Sequence, residues 1–468
     1  MTREPFVHPY IPNSVPETRQ AMLREIGVRD VEALYAPIPE RLRFRGELDV
    51  PGPIHSEAEL KRAVRELLDR NLSTDDCLSF LGGGVAKHYV PAAVDEVVNR
   101  AEFLSAYCGA NYSDHGKYQT RWEFNSQLAE LLDVDVVSEP IYDWGTVVGS
   151  AIRMAARITG RSRALVAATT SPQRLAVART MCQPAGMPTS IGIDLVGYQP
   201  ATGQLDLDDL RGKLSAEMAA VYVEVPSYLG GIEGDMMRIA QLVHEAGALL
   251  IVGVDPISLG LLAAPGSYGA DIVVGDLQSL GVHLSAGGGV SGFIAFDDDP
   301  VLCTECPLAL YTILETERDG EYAFGEVMAE RTSYGLREQG KDWVGTASGL
   351  WTIAAAVYMS LMGPKGFQEI GQTIIKRAHY AAARLRALPG VSMPLGDAFF
   401  KEFVVSFNDT GKRVADINKA LLERRIFGGL DLSADFPELG QSALYCVTEV
   451  HSRADIDRLV AALAEVLA

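Results

Sequence analysis

A few short stretches of this chain carry residue types able to take part in chemistry. Tyr142-Asp143-Trp144-Gly145-Thr146 lies at the turn into a helical stretch. Backbone N–H groups at a helix N-terminus form an anion site suited to a phosphate, although an ordinary glycine-containing turn has the same signature. Asp255 follows directly on the apolar run Leu249–Val254. The carboxyl end of a parallel strand is where α/β proteins bind ligands, and a carboxylate there can pair with the protonated ring nitrogen of a heteroaromatic cofactor. The competing reading is an Asp that turns the chain before Pro256. Gly275-Asp276-Leu277-Gln278-Ser279-Leu280-Gly281 offers Gln278 and Ser279 but no primary amine, and no lysine occurs between Lys213 and Lys341. A Schiff base cannot form from that region. His115 beside Asp114 is either an acid–base group with a titratable neighbour or a solvated loop histidine.

Three further patterns are weaker. Cys303 and Cys306 form a C-x-x-C pair, but a structural zinc site wants a second pair or histidines at ligand spacing. Gly287-Gly288-Gly289 lacks the Lys-Ser/Thr of a P-loop and reads as a tight turn into the strand at Gly292. Asp297-Asp298-Asp299 reads as a solvated loop.

The elements that must position these residues alternate from about residue 105. Helical apolar spacing runs over Thr146–Thr159, Asp206–Leu214 reads as a helix opened by acidic residues, and Met236–Ala246 reads as a helix ended by Gly247. Between and after them Ala164–Ala168, Ala219–Val225, Leu249–Val254, Ile272–Val274 and Gly292–Phe296 read as strands. Such alternation implies a mostly parallel sheet with helices on both faces. The pattern changes near residue 330. Ala347–Leu361 and Phe367–Leu388 are long helical stretches, Phe403–Phe407 and Ala443–Val447 are strands, and Ser452 with Asp455 opens a closing helix. Residues 1–70 are polar and broken by Pro9, Pro12, Pro16, Pro37 and Pro39 into short helix-like pieces, as in an arm lying on a partner. The expected division is an N-terminal helical arm over 1–104, a large α/β domain over 105–330 and a small α+β domain over 331–468.

Composition sets the boundaries of function. Of 468 residues 48% are hydrophobic, enough for a large core. The formal net charge of −20 argues against nucleic acid and anionic membranes as partners. Six dispersed cysteines fit a reducing cytosol. The N-terminus has no apolar signal segment, and the apolar run Ala246–Ala264 is interrupted by Asp255-Pro256, which suits a buried strand and loop better than a membrane span. A cytoplasmic protein is expected.

A large α/β domain followed by a small α+β domain is the layout of fold-type-I enzymes of the aspartate aminotransferase kind, which use pyridoxal 5′-phosphate (PLP). Within that layout Asp255 falls at the pyridinium position, and the Gln278–Ser279 segment falls where the Schiff-base lysine belongs. Either the chain has lost that chemistry or another chain provides it.

Several motifs, in order, resemble one family. Phe80-Leu81-Gly82-Gly83-Gly84, running on to His88-Tyr89-Val90-Pro91-Ala92-Ala93-Val94, is similar to F-L-G-x-G-x-x-x-H-Y-I-P-A-x-V. Phe103-Leu104-Ser105-Ala106-Tyr107 resembles F-x-T-A-Y, and the Gly275–Gly281 segment resembles G-D-G-Q-S-L-G. Phe399-Phe400-Lys401-Glu402-Phe403 and Val447-Thr448-Glu449-Val450-His451 resemble F-F-N-E-F and V-T-E-x-H. These belong to subunit 1 of the decarboxylating glycine dehydrogenase, the P-protein of the glycine cleavage system.

The resemblance implies a lysine-lacking subunit that shapes the active site and pairing surface for a PLP-bearing subunit 2, which holds the cofactor covalently, in an α2β2 assembly. It implies glycine as substrate and a lipoylated carrier (H) protein that accepts the aminomethyl group. It places no catalytic residue in this chain. Tyr107, Asn111, Tyr112, Ser113, Asp114, His115, Tyr142, Trp144, Gly145 and Thr146 are then site-lining, while Asp255, Gln278 and Ser279 mark a vestigial cofactor region. The sequence departs from the family where the loop after Tyr107 reads Cys108-Gly109-Ala110-Asn111-Tyr112-Ser113-Asp114-His115-Gly116 instead of T-P-Y-Q-P-E-I-S-Q-G. It departs again where Trp144 stands for a small residue in Y-D-G-A-T. Two alternatives stay open: a paralogue working with a PLP-bearing partner on another amino acid, and a non-catalytic assembly or regulatory module.

Overall fold

The structure, a computed structural model, describes residues 7–46, 48–104, 115–183, 189–285, 290–341 and 347–468. The chain divides into two compact units, Met1–Asn71 and Leu72–Ala468. In the first unit, α1 (Pro16–Ile26) starts on a proline, whose missing N–H has no helical partner to lose, and ends at Gly27 in the left-handed region. Helix α2 (Glu57–Leu68) is opened by Ser56, whose side chain accepts from Glu59 N. Short 3-10 turns lie before and between them, as the dispersed prolines dictate.

The second unit begins with β1 (Leu78–Ser79), α3 (Ala92–Val98) and α4 (Tyr118–Leu132). Strands and helices then alternate: β2 (Val136–Val137), α5 (Trp144–Thr159), β3 (Arg163–Ala167), α6 (Pro172–Cys182), β4 (Gly192–Val196), α7 (Leu207–Lys213), β5 (Met218–Val225), α8 (Met236–Glu245), β6 (Leu249–Val254), β7 (Ile272–Asp276) and β8 (Gly292–Phe296). These strands make one seven-stranded sheet in the order β2-β8-β7-β6-β5-β3-β4. Strands β3 to β7 run parallel, β8 is antiparallel to β7, and β2 is antiparallel to β8.

Side chains alternate across a strand, so each central strand feeds two cores. Val221, Val223 and Val225 of β5 and Leu250, Val252 and Val254 of β6 enter one. Ala220, Tyr222 and Ile251 enter the other. With both faces covered, the strands read as unbroken apolar runs. Helices α5 and α6 approach closely because α5 presents glycines to its neighbour. A Cβ added at Gly149 would stand 2.7 Å from Met181 Sδ.

After α9 (Pro300–Glu305), strands β9 (Tyr311–Glu315) and β10 (Tyr322–Glu326) form an antiparallel hairpin, followed by α10 (Ser333–Leu336). Helix α11 (Gly349–Arg386) is broken at Gly363, where φ is 55° and Pro364 follows. The break falls between the two expected helices because Pro364 has no N–H and its ring obstructs the preceding turn. The small sheet, β11 (Glu402–Ser406), β14 (Ser442–Cys446) and β13 (Leu430–Asp431), is antiparallel in the order β11-β14-β13. It packs with α12 (Val414–Glu423) and α13 (Arg453–Leu467), the latter opened by a capping box of Ser452 and Asp455. Strand β12 (Ile426–Phe427) pairs in parallel with β1, so the start of the second unit is joined to its end. Among the described residues no helix is long and apolar enough to cross a membrane.

Candidate functional site: a closed pocket at the carboxyl end of the sheet

The turn into α5, the ends of β6 and β7, and the start of β11 converge on one small internal cavity. Asp255 follows β6 and does two things at once. Its Oδ1 accepts from Ile257 N (3.4 Å), capping the turn at Pro256, and from Ser279 Oγ (2.7 Å). Its Oδ2 stands 2.6 Å from Lys401 Nζ. Burial alone would raise this carboxyl, but the Lys401 ammonium outweighs it and holds Asp255 below its ordinary value. Gln278, after β7, turns away to structural use: its Nε2 donates to Ala86 O (2.8 Å) and its Oε1 accepts from Ala86 N (3.2 Å).

At the turn into α5, Asp143 caps the helix with its own carboxylate, accepting from Thr146 N (2.7 Å) and Thr146 Oγ1 (2.9 Å). The helix N-terminus therefore already holds an anion. Trp144 is buried, and its indole N–H donates to Tyr222 Oη (3.0 Å), which donates to Glu224 Oε1 (2.9 Å). The Arg174 guanidinium lies 3.6 Å from the centre of the Trp144 ring and pairs with the same Glu224 oxygen at 3.1 Å.

Lys401 Nζ also donates to His88 Nε2 (3.1 Å). The imidazole then carries its proton on Nδ1, which donates to Glu449 Oε2 (2.9 Å). Burial works against the Glu449 carboxylate, yet His88 and the Tyr89 amide bring it down to about 2. Glu402 Oε1 accepts from Gly83 N (2.6 Å) and fastens the glycine run to β11. Burial pushes Asp276, at the end of β7, up to about 7 against the pull of Arg174.

PLP, the cofactor that this layout implies, does not fit these residues. The cavity measures about 30 Å³, and the cleft beside the α5 N-terminus that shares Gly84, Trp144, Arg174 and Asp276 with it measures about 150 Å³, whereas ligand pockets run to roughly 300–1,000 Å³. Trp144 fills the space next to β6: a Cβ on Gly253 would stand 3.1 Å from its indole. Lys401 holds the carboxylate that a pyridinium would need, and the segment after β7 has no amine.

Of the residues singled out from sequence, Trp144, Asp255, Gln278 and Ser279 line this cavity. Gly145 and Thr146 stand beside it in the first turn of α5, where Gly145 lets Val177 of α6 approach. The Tyr142 side chain is exposed, and its carbonyl accepts from Ser291 N. His115 opens a 3-10 turn, His115–Lys117, ahead of α4. Tyr107, Asn111, Tyr112, Ser113 and Asp114 lie outside the described residues, as does the Gly287–Gly289 run. The thiols of Cys303 and Cys306 are both buried, which pushes their pKa values up, Cys303 to about 11, and keeps them protonated.

Sequence reasoning missed Lys401 and Arg174, which line the pocket, and Glu224 and His88, which pair with them. Lys401 had a signal: it is an ionisable residue between Phe400 and Glu402-Phe403, where the family pattern F-F-N-E-F has Asn. Arg174 and Glu224 had none, because their meeting depends on the packing of α6 over β5.

This sheet order, with a small antiparallel domain beside it and a pocket at the ends of β6 and β7, defines a fold-type-I PLP-dependent enzyme architecture, here with the pocket closed. The family profile "Glycine cleavage system P-protein" matches residues 8–463. A probable glycine dehydrogenase (decarboxylating) subunit 1 of Staphylothermus marinus is 36% identical over 468 residues, covering 98% of each chain. The corresponding Geobacillus kaustophilus protein is 36% identical over 456 residues, covering 97% of this chain and 98% of its own. A crystal structure of glycine decarboxylase, the P-protein of the glycine cleavage system, in inhibitor-bound form superposes with a TM-score of 0.84 at 30% identity, covering 98% of this chain and 100% of that one. A Burkholderia pseudomallei sphingosine-1-phosphate lyase shares the fold, with a TM-score of 0.64 at 16% identity over 92% of this chain and 94% of that one. The chain belongs to the glycine cleavage system P-protein family.

Proposed function

We propose that this chain is the lysine-lacking subunit of a two-subunit glycine decarboxylase. The observation that carries the reading is the closed pocket: Trp144 and the Lys401–Asp255 pair fill the place where the layout would put a cofactor, in a chain that the family profile matches over residues 8–463. A PLP-bearing partner then supplies the lysine and the electron sink that decarboxylation requires. This chain supplies a fixed wall of the shared site and the pairing surface, in an α2β2 assembly, and a lipoylated carrier protein receives the aminomethyl group. Obligate interfaces of this kind bury roughly 2,000–5,000 Å².

The test is co-expression with the lysine-bearing subunit, followed by light scattering, a PLP absorbance scan and release of labelled CO2 from carboxyl-labelled glycine. A stable hetero-oligomer that releases CO2 only when both chains are present supports the reading. A partner subunit fully active without this chain would overturn it and leave an assembly or regulatory role. The Cys108–Gly116 sequence, so unlike the family pattern there, supports a second reading in which the same complex acts on another amino acid. An amino-acid panel in the same assay separates the two.

A further inference from the structure

The chain supplies a counterpart for each group that a PLP molecule would bring. An anion at the α5 N-terminus is present as the Asp143 carboxylate on Thr146. A cation opposite Asp255 is present as Lys401 Nζ at 2.6 Å. An aromatic plane over β6 is present as the Trp144 indole, held on one face by Arg174. The neutralisation is mutual. Arg174 Nη1 is paired with Glu224 and Lys401 with Asp255, so each cation already has a carboxylate of this chain.

We propose that this pocket is self-ligated: Lys401 and Trp144 together act as an internal substitute for the cofactor, and removing both reopens a non-covalent site for a pyridine phosphate in this chain. The proposal rests on the reading that the catalytic PLP belongs to the partner, but its test uses this chain alone. An entering pyridinium would have to expel an ammonium from a buried ion pair and find the ring's volume already filled. Withdrawing Lys401 without a replacement would strand the Asp255 charge, which is why the pair stays closed. Burial would lower the Lys401 ammonium, but Asp255 raises it well above its ordinary range. The amine is therefore held protonated and is no nucleophile for an aldehyde. Lys401 is for this reason a lock and not a displaced Schiff-base lysine.

The probe is pyridoxamine 5′-phosphate, which carries no aldehyde and cannot label surface lysines. Equilibrium dialysis is run on the full wild-type chain and on Trp144→Gly, Lys401→Asn and the double variant, each checked for fold by circular dichroism. The double variant should bind roughly tenfold tighter than the wild type or more. Adding Asp255→Ala should abolish that gain. Wild-type binding as tight as the double variant's, or a folded double variant that binds no better than wild type, overturns the proposal. Should the double variant not fold, acetylation footprinting of the native wild type decides. Lys401 should stay unmodified while the exposed Lys61 and Lys419 react. Acetylation of Lys401 at the rate of those two lysines overturns the proposal equally.

Discussion

The ammonium of Lys401, at the start of β11 in the small sheet, and the carboxylate of Asp255, at the end of β6 in the large sheet, meet at 2.6 Å with both side chains nearly out of water. One ion pair thus joins the two sheets across the pocket. Breaking a buried pair from one side leaves an uncompensated charge, at a cost of about 3–5 kcal/mol. Lys401→Met should lower unfolding free energy by that order in urea titrations. Lys401→Met combined with Asp255→Asn should recover most of the loss, since Asn keeps an acceptor for Ser279. A single-variant loss below about 1 kcal/mol would mean that the pair behaves as a surface contact.

Asp276 sets a pH dependence whose sign follows from its raised pKa. The folded state holds the proton up to about pH 7, while an unfolded Asp releases it near 3.8. Between those values the folded state binds more protons, so this group's contribution to stability falls as pH rises, by at most about 1.4 kcal/mol per pH unit. Asp276→Asn keeps the acceptor for the Gln278 amide and removes the titration. The stability of the variant relative to wild type should therefore climb from about pH 4 to pH 7 and level off above. A difference that does not vary with pH would show that Asp276 is ionised throughout.

Gly84 sits at φ 94°, and a Cβ there would meet Arg174 Nη2 at 2.3 Å. Gly84→Ala should cost about 1–3 kcal/mol from backbone strain, lower Tm, and shift the fluorescence of Trp144 as Arg174 leaves its ring. Gly212, inside α7 with open space around it, is the control. Gly212→Ala should leave stability unchanged or raise it by about 0.5–1 kcal/mol. An equal Tm shift in both variants would refute a specific role for the Gly84–Arg174 approach.

His115 follows Asp114 in the sequence segment that departs from the family pattern, and in the proposed complex it is the residue to test for a role in substrate choice. His115→Ala should raise KM or change selectivity by roughly 5- to 150-fold in kcat/KM, with the partner's PLP absorbance intact. An unchanged kcat/KM across an amino-acid panel would show that His115 takes no part in substrate choice. Lost turnover with normal substrate binding would make His115 an acid–base group.

Local rules carried the parts of the fold that local physics decides. Leu249–Val254 was legible as a strand because both its faces are buried, the two separate helical stretches Ala347–Leu361 and Phe367–Leu388 left room for the break in α11, and Ser452 with Asp455 announced α13. Strand β4 was not anticipated: Gly192–Val196 lies at the sheet edge and carries Asp194, so it lacks the apolar run of a central strand. The hairpin β9–β10 was missed for the same reason, with Glu315, Tyr322 and Glu326 in its strands. Asp255 does turn the chain before Pro256, and it also pairs with Lys401, a partner that the sequence kept hidden. Lys401 arrives through the docking of the small sheet, and that meeting has no local signature. The lysine gap from Lys213 to Lys341 was visible, yet it did not reveal that a lysine from outside the gap fills the pocket.

The break at Gly363 has a mechanical consequence. It divides α11 well before the point where the helix changes partners. Phe367 and Ile374, beyond the break, still lie in the core of the large sheet, while Ala378, Ala381 and Leu385 lie in that of the small one. A swing of the small body about Gly363 would act on a lever whose short arm is buried, drawing Phe367 and Ile374 out of the first core at about 1.5–3 kcal/mol each. The joint is present but its travel is blocked, so the small body is held fast against the large one instead of opening and closing over a ligand.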